Sequence, residues 1–64
     1  MPTEMLQAFI GKKVTIVTTG SAMGFEGTIV KIEDNWIMLE GKKHTQIING
    51  DAVNYINIKK EATD

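Results

Sequence analysis

Short runs of β-branched and apolar residues, interrupted every few positions by glycine, asparagine or aspartate, are the feature that most restricts the fold of this chain. In residues 13–19, KVTIVTT, β-branched side chains dominate, and such side chains lose less freedom in a strand than in a helix. Runs of the same kind predict further strands over 25–32, 36–39, 44–48 and 52–58. No βαβ unit can be drawn, so the sequence predicts a mainly β protein with an antiparallel sheet.

A short helix is expected before the first strand, over residues 3–10. Thr3 is a candidate N-cap, and Gly11 is a natural stop. The helix would carry an apolar stripe made of Met5, Leu6, Phe9 and Ile10.

Two positions predict how the strands turn. Gly27 lies inside the second strand, where a glycine marks a bulge, a bend or a close backbone approach, and we interpret it as a bend. The tight turn after that strand contains Asn35, which can adopt the left-handed conformation. Five short strands with such turns predict a small, strongly bent antiparallel barrel of the SH3-like or OB class.

The size of the chain and the absence of cysteine limit how it can be stabilised. At 64 residues with no cysteine, the chain is near the lower limit for one hydrophobic core and has no disulfide to support it. We expect a single domain over residues 1–64, with a helix over 3–10, a barrel over 13–58 and a charged tail over 59–64. Self-association is the expected source of additional stability.

The charge balance favours no particular class of partner. Seven cations against eight acids give a net charge of −1, and every cation is a lysine. The arginine fork that recognises phosphate in a bidentate way is therefore absent. No apolar run approaches the roughly 20 residues needed to cross a membrane, and we expect a soluble, cytoplasmic protein.

Catalytic chemistry has little support in the sequence. His44 is the only histidine and no cysteine accompanies it, so no metal site and no nucleophile–base pair is evident. We expect no enzymatic activity, no catalytic residues and no cofactor.

Two segments resemble the signatures of the Sm-like family. Residues 48–56, INGDAVNYI, are similar to the second Sm signature, in which a glycine precedes an apolar-x-aromatic-apolar strand. Residues 11–16, Gly20, residues 25–29 and residues 32–34 resemble the first signature, including the glycine of the second strand. Together the two matches extend over residues 6–58, and the chain is also similar to the bacterial Hfq-type RNA chaperones of the same superfamily.

The resemblance implies a five-stranded Sm-like barrel with an N-terminal helix and a homo-oligomeric ring of six or seven subunits. An isolated subunit would leave the edges of its fourth and fifth strands open, and pairing these edges between subunits removes both. The candidate interface residues are Ile47, Ile48, Tyr55 and Ile56.

The resemblance also implies that single-stranded RNA, rich in uridine or adenosine, binds at two loops, residues 33–36 and 49–51. Base stacking and hydrogen bonds to base edges are what such recognition requires. The candidate RNA-binding residues are Asp34, Asn35, Trp36, Asn49, Gly50 and Asp51.

Two alternatives remain open from the sequence. Asn49 stands where the family has a basic residue, and Asp51 adds a carboxylate, which favours an oligomeric scaffold or protein-interaction module that has lost its RNA site. A monomeric SH3-like adaptor is the third possibility. Trp36 can correspondingly stack on a base, or pack in the core or at a subunit interface.

Overall fold

The computed structural model describes residues 3–60 and consists of one five-stranded antiparallel sheet preceded by a short 3-10 helix. This confirms the predicted mainly β class, the five strands and the short N-terminal helix, whereas closure into a barrel stays a prediction. In chain order, with η for 3-10 helices, the elements are η1 (Glu4–Phe9), β1 (Lys13–Thr18), β2 (Gly24–Glu33), β3 (Trp36–Glu40), β4 (Thr45–Asn49), η2 (Gly50–Ala52) and β5 (Val53–Ile58).

The sheet has the strand order β4-β3-β2-β1-β5, and the long strand β2 joins its two halves. The first half of β2 pairs with β1, ending at the pair Thr28–Lys13. Its second half pairs with β3, beginning at the pair Thr28–Glu40. The N-terminal end of β1 and the C-terminal end of β3 therefore meet at the middle of β2.

Gly27 allows a close approach of two strands, whereas the bend predicted at this position stays a prediction. The β1–β2 register is regular through Gly27, and the irregularity in β2 lies instead between Ile29 and Lys31, where Val30 has no partner in β3. Gly27 is needed because a Cβ there would lie 2.6 Å from the carbonyl oxygen of Glu40. Close backbone approach is therefore one of the three roles considered for this glycine that the structure supports.

The core is formed by the side chains that alternate on one face of the sheet. Ile16, Ile29 and Ile37 are fully buried, and Leu39 is 1% exposed. From outside the sheet, Leu6 of η1 packs against the same cluster. Successive side chains of a strand point to opposite faces of the sheet, and buried and more exposed residues therefore alternate along β1 and β3.

The predicted stripe of η1 is only partly buried. Leu6 and Phe9 pack on the core, but Met5 is 80% exposed and Ile10 is 42% exposed. The helix has 3-10 geometry, whose three-residue period places fewer side chains on the buried face than an α-helix would.

Two local predictions at the start of the chain and in the β2–β3 turn are wrong. Thr3 makes no side-chain cap, and its hydroxyl donates to the carbonyl oxygen of Asp34 at 3.0 Å. In the turn, Asp34 adopts the left-handed conformation with φ of 52°, and Asn35 does not. The side chain of Asn35 instead donates a hydrogen bond to Asn49, at the end of β4.

The remaining boundaries differ from the prediction by no more than one residue. β4 begins at Thr45 rather than His44, because the carbonyl of His44 accepts a hydrogen bond from the Gly41 amide at 2.8 Å and so closes the preceding turn. Lys59 and Lys60 follow β5 without regular structure, and residues 61–64 of the predicted tail lie outside the described residues. Neither η1 nor η2, the helices of residues 3–60, has the length and apolar character needed to cross a bilayer.

Candidate nucleic-acid interface

The two loops expected to bind RNA lie side by side and are joined by hydrogen bonds. The side-chain amide of Asn35 donates to Oδ1 of Asn49 at 3.0 Å, and the backbone amide of Gly50 donates to the carbonyl of Asn35 at 2.7 Å. Oδ1 of Asn49 also accepts from the backbone amide of Asp51 at 2.9 Å and so caps η2. The structure therefore brings these four candidate residues together, and Asn49 is the centre of the network.

Gly50 is buried at the contact between the two loops. A Cβ at this position would collide with the side chain of Asn35, so glycine is what allows the loops to approach. The glycine at position 50 therefore has a structural reason in this chain.

Trp36 is the first residue of β3 and pairs with Asn49 in the β3–β4 register. Its side chain is 48% exposed, so it lies outside the core. The neighbouring Ile37 points into the core, which places Trp36 on the outer face of the sheet. An exposed indole beside a hydrogen-bonding loop is a platform on which a base or a partner's apolar side chain can pack.

The charges around this platform are mostly negative. Glu33, Asp34 and Asp51 are all exposed. Lys31 approaches Glu33 at 3.9 Å, and both side chains are more than half exposed, so this ion pair is weak. A phosphate group placed here would meet several carboxylates.

The candidate interface residues lie on the two edge strands of the sheet. Ile47 on β4 is 59% exposed and Tyr55 on β5 is 51% exposed. Their neighbours face the other way, since Ile48 is buried and Ile56 packs against the core. Within residues 3–60, β4 pairs only with β3 and β5 pairs only with β1.

Sequence reasoning did not anticipate that most of the lysines lie together. In the sequence, the doublets Lys42–Lys43 and Lys59–Lys60 are far apart, and each is typical of a solvated surface. In the structure, Lys42 and Lys43 line one surface groove with Lys13, and Lys59 lines an adjoining groove that also contains Lys13. The signal that could have revealed this is the strand register, which depends on long-range pairing.

Metal binding has no structural basis in the described part of the chain. No three histidine, aspartate or glutamate side chains of residues 3–60 stand close enough to share an ion.

These features define a small β protein with one antiparallel sheet, whose edge strands among residues 3–60 are β4 and β5, and an exposed tryptophan beside a hydrogen-bonded loop pair. The chain belongs to the family described as domain of unknown function (DUF6897), whose sequence profile matches residues 4–61. No curated protein and no solved structure matches the chain.

Proposed function

We propose that this protein is an Sm-like subunit that assembles into a homo-oligomeric ring of six or seven copies and binds single-stranded RNA. The observation that carries the proposal is the strand order, in which β4 and β5 form opposite edges of one sheet. The Sm-like signatures of the sequence extend over the same strands.

Open edges favour assembly because each presents a row of unpaired backbone donors and acceptors. Pairing β4 of one copy with β5 of the next would satisfy both edges by a single kind of contact. Such a contact is head-to-tail, and it gives a closed ring when the rotation between copies divides a full turn.

The side chains on the two edges fit this pairing. A strand added in register continues both faces of a sheet, so Ile48 and Ile56 would remain on the core side. Ile47 and Tyr55 would then lie on the shared outer face and bury each other's apolar surface. This burial would add to the stability of a 64-residue chain, whose single core is small.

RNA binding is supported by Trp36 and by the loop network beside it. Stacking of a base on an aromatic ring contributes about 1–3 kcal/mol of binding free energy per base, and any of the bases can stack in this way. A ring would repeat the platform once per subunit, and repeated weak contacts with one strand combine into a higher affinity.

A scaffold without an RNA site is the second candidate, and the acidic side chains favour it. Glu33, Asp34 and Asp51 surround the exposed indole, and the chain has no arginine. Under this alternative, the outer face would bind protein rather than RNA.

Light scattering on purified, nuclease-treated protein tests the proposed assembly. We expect a native mass about six or seven times the chain mass of 7.1 kDa. A monomeric mass at micromolar concentration would overturn the ring and leave the monomeric adaptor.

The RNA part is tested by titrating the same protein with U-rich, A-rich and scrambled oligonucleotides. We expect Trp36→Ala to weaken binding by about 1–3 kcal/mol per stacked base, and Trp36→Phe to retain most of the affinity because an aromatic ring remains. Both variants should keep the wild-type mass. An intact ring that binds none of the oligonucleotides would favour the scaffold.

A further inference from the structure

Although the net charge is only −1, four of the seven lysines line two grooves of the surface. Every lysine except Lys31 lies at one of three places: just before or at the start of β1, in the β3–β4 turn, or just after β5. The lysines in these three places are Lys12, Lys13, Lys42, Lys43, Lys59 and Lys60.

The strand register brings these three places together at the middle of β2. Thr28 pairs with Lys13 on one side and with Glu40 on the other. Glu40 also pairs with Thr45, so the β3–β4 turn that carries Lys42 and Lys43 lies beside them. On the far side of β1, Val14 pairs with Ile58, which places Lys59 close to Lys13.

A groove of about 690 Å³ lies where these elements meet. Lys13, Lys42, Lys43 and His44 line it together with the carboxylates Glu26 and Glu40. An adjoining groove contains Lys13 and Glu26 again and adds Lys59. The two grooves therefore form one continuous basic surface across β1 and β2, which we call the lysine groove.

The lysine groove carries an excess of positive charge that is available to a ligand. Its four lysines outnumber its two carboxylates, and within residues 3–60 none of these lysines forms an ion pair. Gly27 and Gly41 contribute no side chains to its lining, so the ammonium groups border an open surface. Lysine ammonium groups at such a surface bind phosphate as point charges.

The loops at residues 33–36 and 49–51 have the opposite charge. Glu33, Asp34 and Asp51 are exposed there, and Lys31 approaches Glu33 at 3.9 Å. A polyanion approaching the molecule is therefore attracted to the lysine groove and repelled from these loops.

We infer that the lysine groove is the phosphate-binding surface of this protein and that the sugar-phosphate backbone of single-stranded RNA lies along it. The choice of RNA as ligand rests on the proposed function, whereas the recognition of phosphate rests on the groove itself. The loops around Trp36 then contact bases or protein, and they make no contact with phosphate.

Salt-dependent binding tests this inference. A labelled U-rich oligonucleotide is titrated by fluorescence anisotropy at several salt concentrations with the double variant Lys42→Gln/Lys43→Gln and with Lys13→Gln. For single strands, the slope of log K against log salt falls in magnitude by about 0.7 for each lysine–phosphate pair that a substitution removes. We expect the double variant to reduce the slope by about twice that amount and Lys13→Gln to reduce it by that amount once.

Lys31→Gln is the matched control, because it removes the same charge from an exposed position outside the groove. We expect it to leave the slope unchanged. If the Lys42→Gln/Lys43→Gln variant retained the wild-type slope while Trp36→Ala abolished binding, the groove assignment would be wrong and the RNA function would stand.

A second experiment tests phosphate binding at the lysine groove independently of RNA binding. Inorganic pyrophosphate and a nucleoside monophosphate are titrated into ¹⁵N-labelled wild-type protein, and amide shifts are followed by NMR. Shifts at residues 41–45 that disappear in the double variant would support the phosphate site even for a protein that binds no RNA. Failure of pyrophosphate, nucleotide and RNA alike to perturb these amides would overturn the inference.

Discussion

At the scale of single residues, glycine at position 27 is required by the distance between two backbones. The carbonyl of Glu40 and the side chain of Leu39 occupy the space that a Cβ would take. Because one of these neighbours is backbone, it cannot move aside without disturbing the β2–β3 pairing.

Replacing this glycine should therefore destabilise the protein. We expect Gly27→Ala to lower the free energy of unfolding by about 1–3 kcal/mol, as overpacking in a core does. Chemical denaturation at a fixed protein concentration measures the change. Wild-type stability in Gly27→Ala would contradict the close approach.

Asn35 and Asp34 show why neighbouring turn residues are hard to distinguish in sequence. Both residue types tolerate positive φ, so local preference does not choose between them. The choice depends on partners elsewhere: Thr3 bonds the Asp34 carbonyl, and Asn49 bonds the Asn35 side chain. These hydrogen bonds join positions far apart in the chain.

At the scale of elements, η2 connects the two halves of the sheet. Its first residue, Gly50, donates to the carbonyl of Asn35 in the β2–β3 turn, and Ala52 accepts from the amide of Thr19 after β1. A single turn of 3-10 helix therefore links the turns at both ends of β2. Asn49 holds this turn by capping it.

Removing the Asn49 cap should weaken the connection that η2 makes between the turns at both ends of β2. We expect Asn49→Ala to cost about 0.5–2 kcal/mol of stability, the range measured for caps, because the Asp51 amide and the Asn35 side chain would both be deprived of an acceptor. Thermal or chemical unfolding measures the difference. Asn54→Ala is the matched control, because Asn54 is exposed on β5. Equal effects of the two substitutions would show that the cap contributes nothing.

At the scale of the whole molecule, the proposed ring couples stability to assembly. A partner that binds only the folded chain stabilises it by mass action, so the melting temperature should rise with protein concentration. A substitution at the exposed edge residue Ile47 can separate the stability of the subunit from its assembly, because this side chain lies mostly outside the core.

We expect Ile47→Lys to break the ring and leave the subunit folded. A lysine on an edge strand opposes edge-to-edge pairing, and a site 59% exposed tolerates a charge. Light scattering should give a lower mass, and the melting temperature should no longer depend on concentration. Ile47→Val is the control that retains an apolar β-branched side chain. An unchanged mass in Ile47→Lys would remove β4 from the interface.

The charge distribution also belongs to this scale. Along the chain, the lysine doublets are separated by acids and apolar residues, so neither composition nor local pattern predicts a basic surface. Antiparallel pairing around the middle of β2 collects them, and the same pairing leaves Glu33, Asp34 and Asp51 near the opposite loops. Charge separation is thus a property of the fold.

The sequence by itself determined the mainly β class and the five strands, because β-branched runs and turn residues act locally. It also placed Asn49, Gly50 and Trp36 in or next to the loops that meet. Only the tertiary structure decided that Gly27 serves a close approach, that Asp34 takes the left-handed conformation and that the lysines share a groove. These features arise from contacts between distant residues, and a single sequence does not contain the strand register on which they depend.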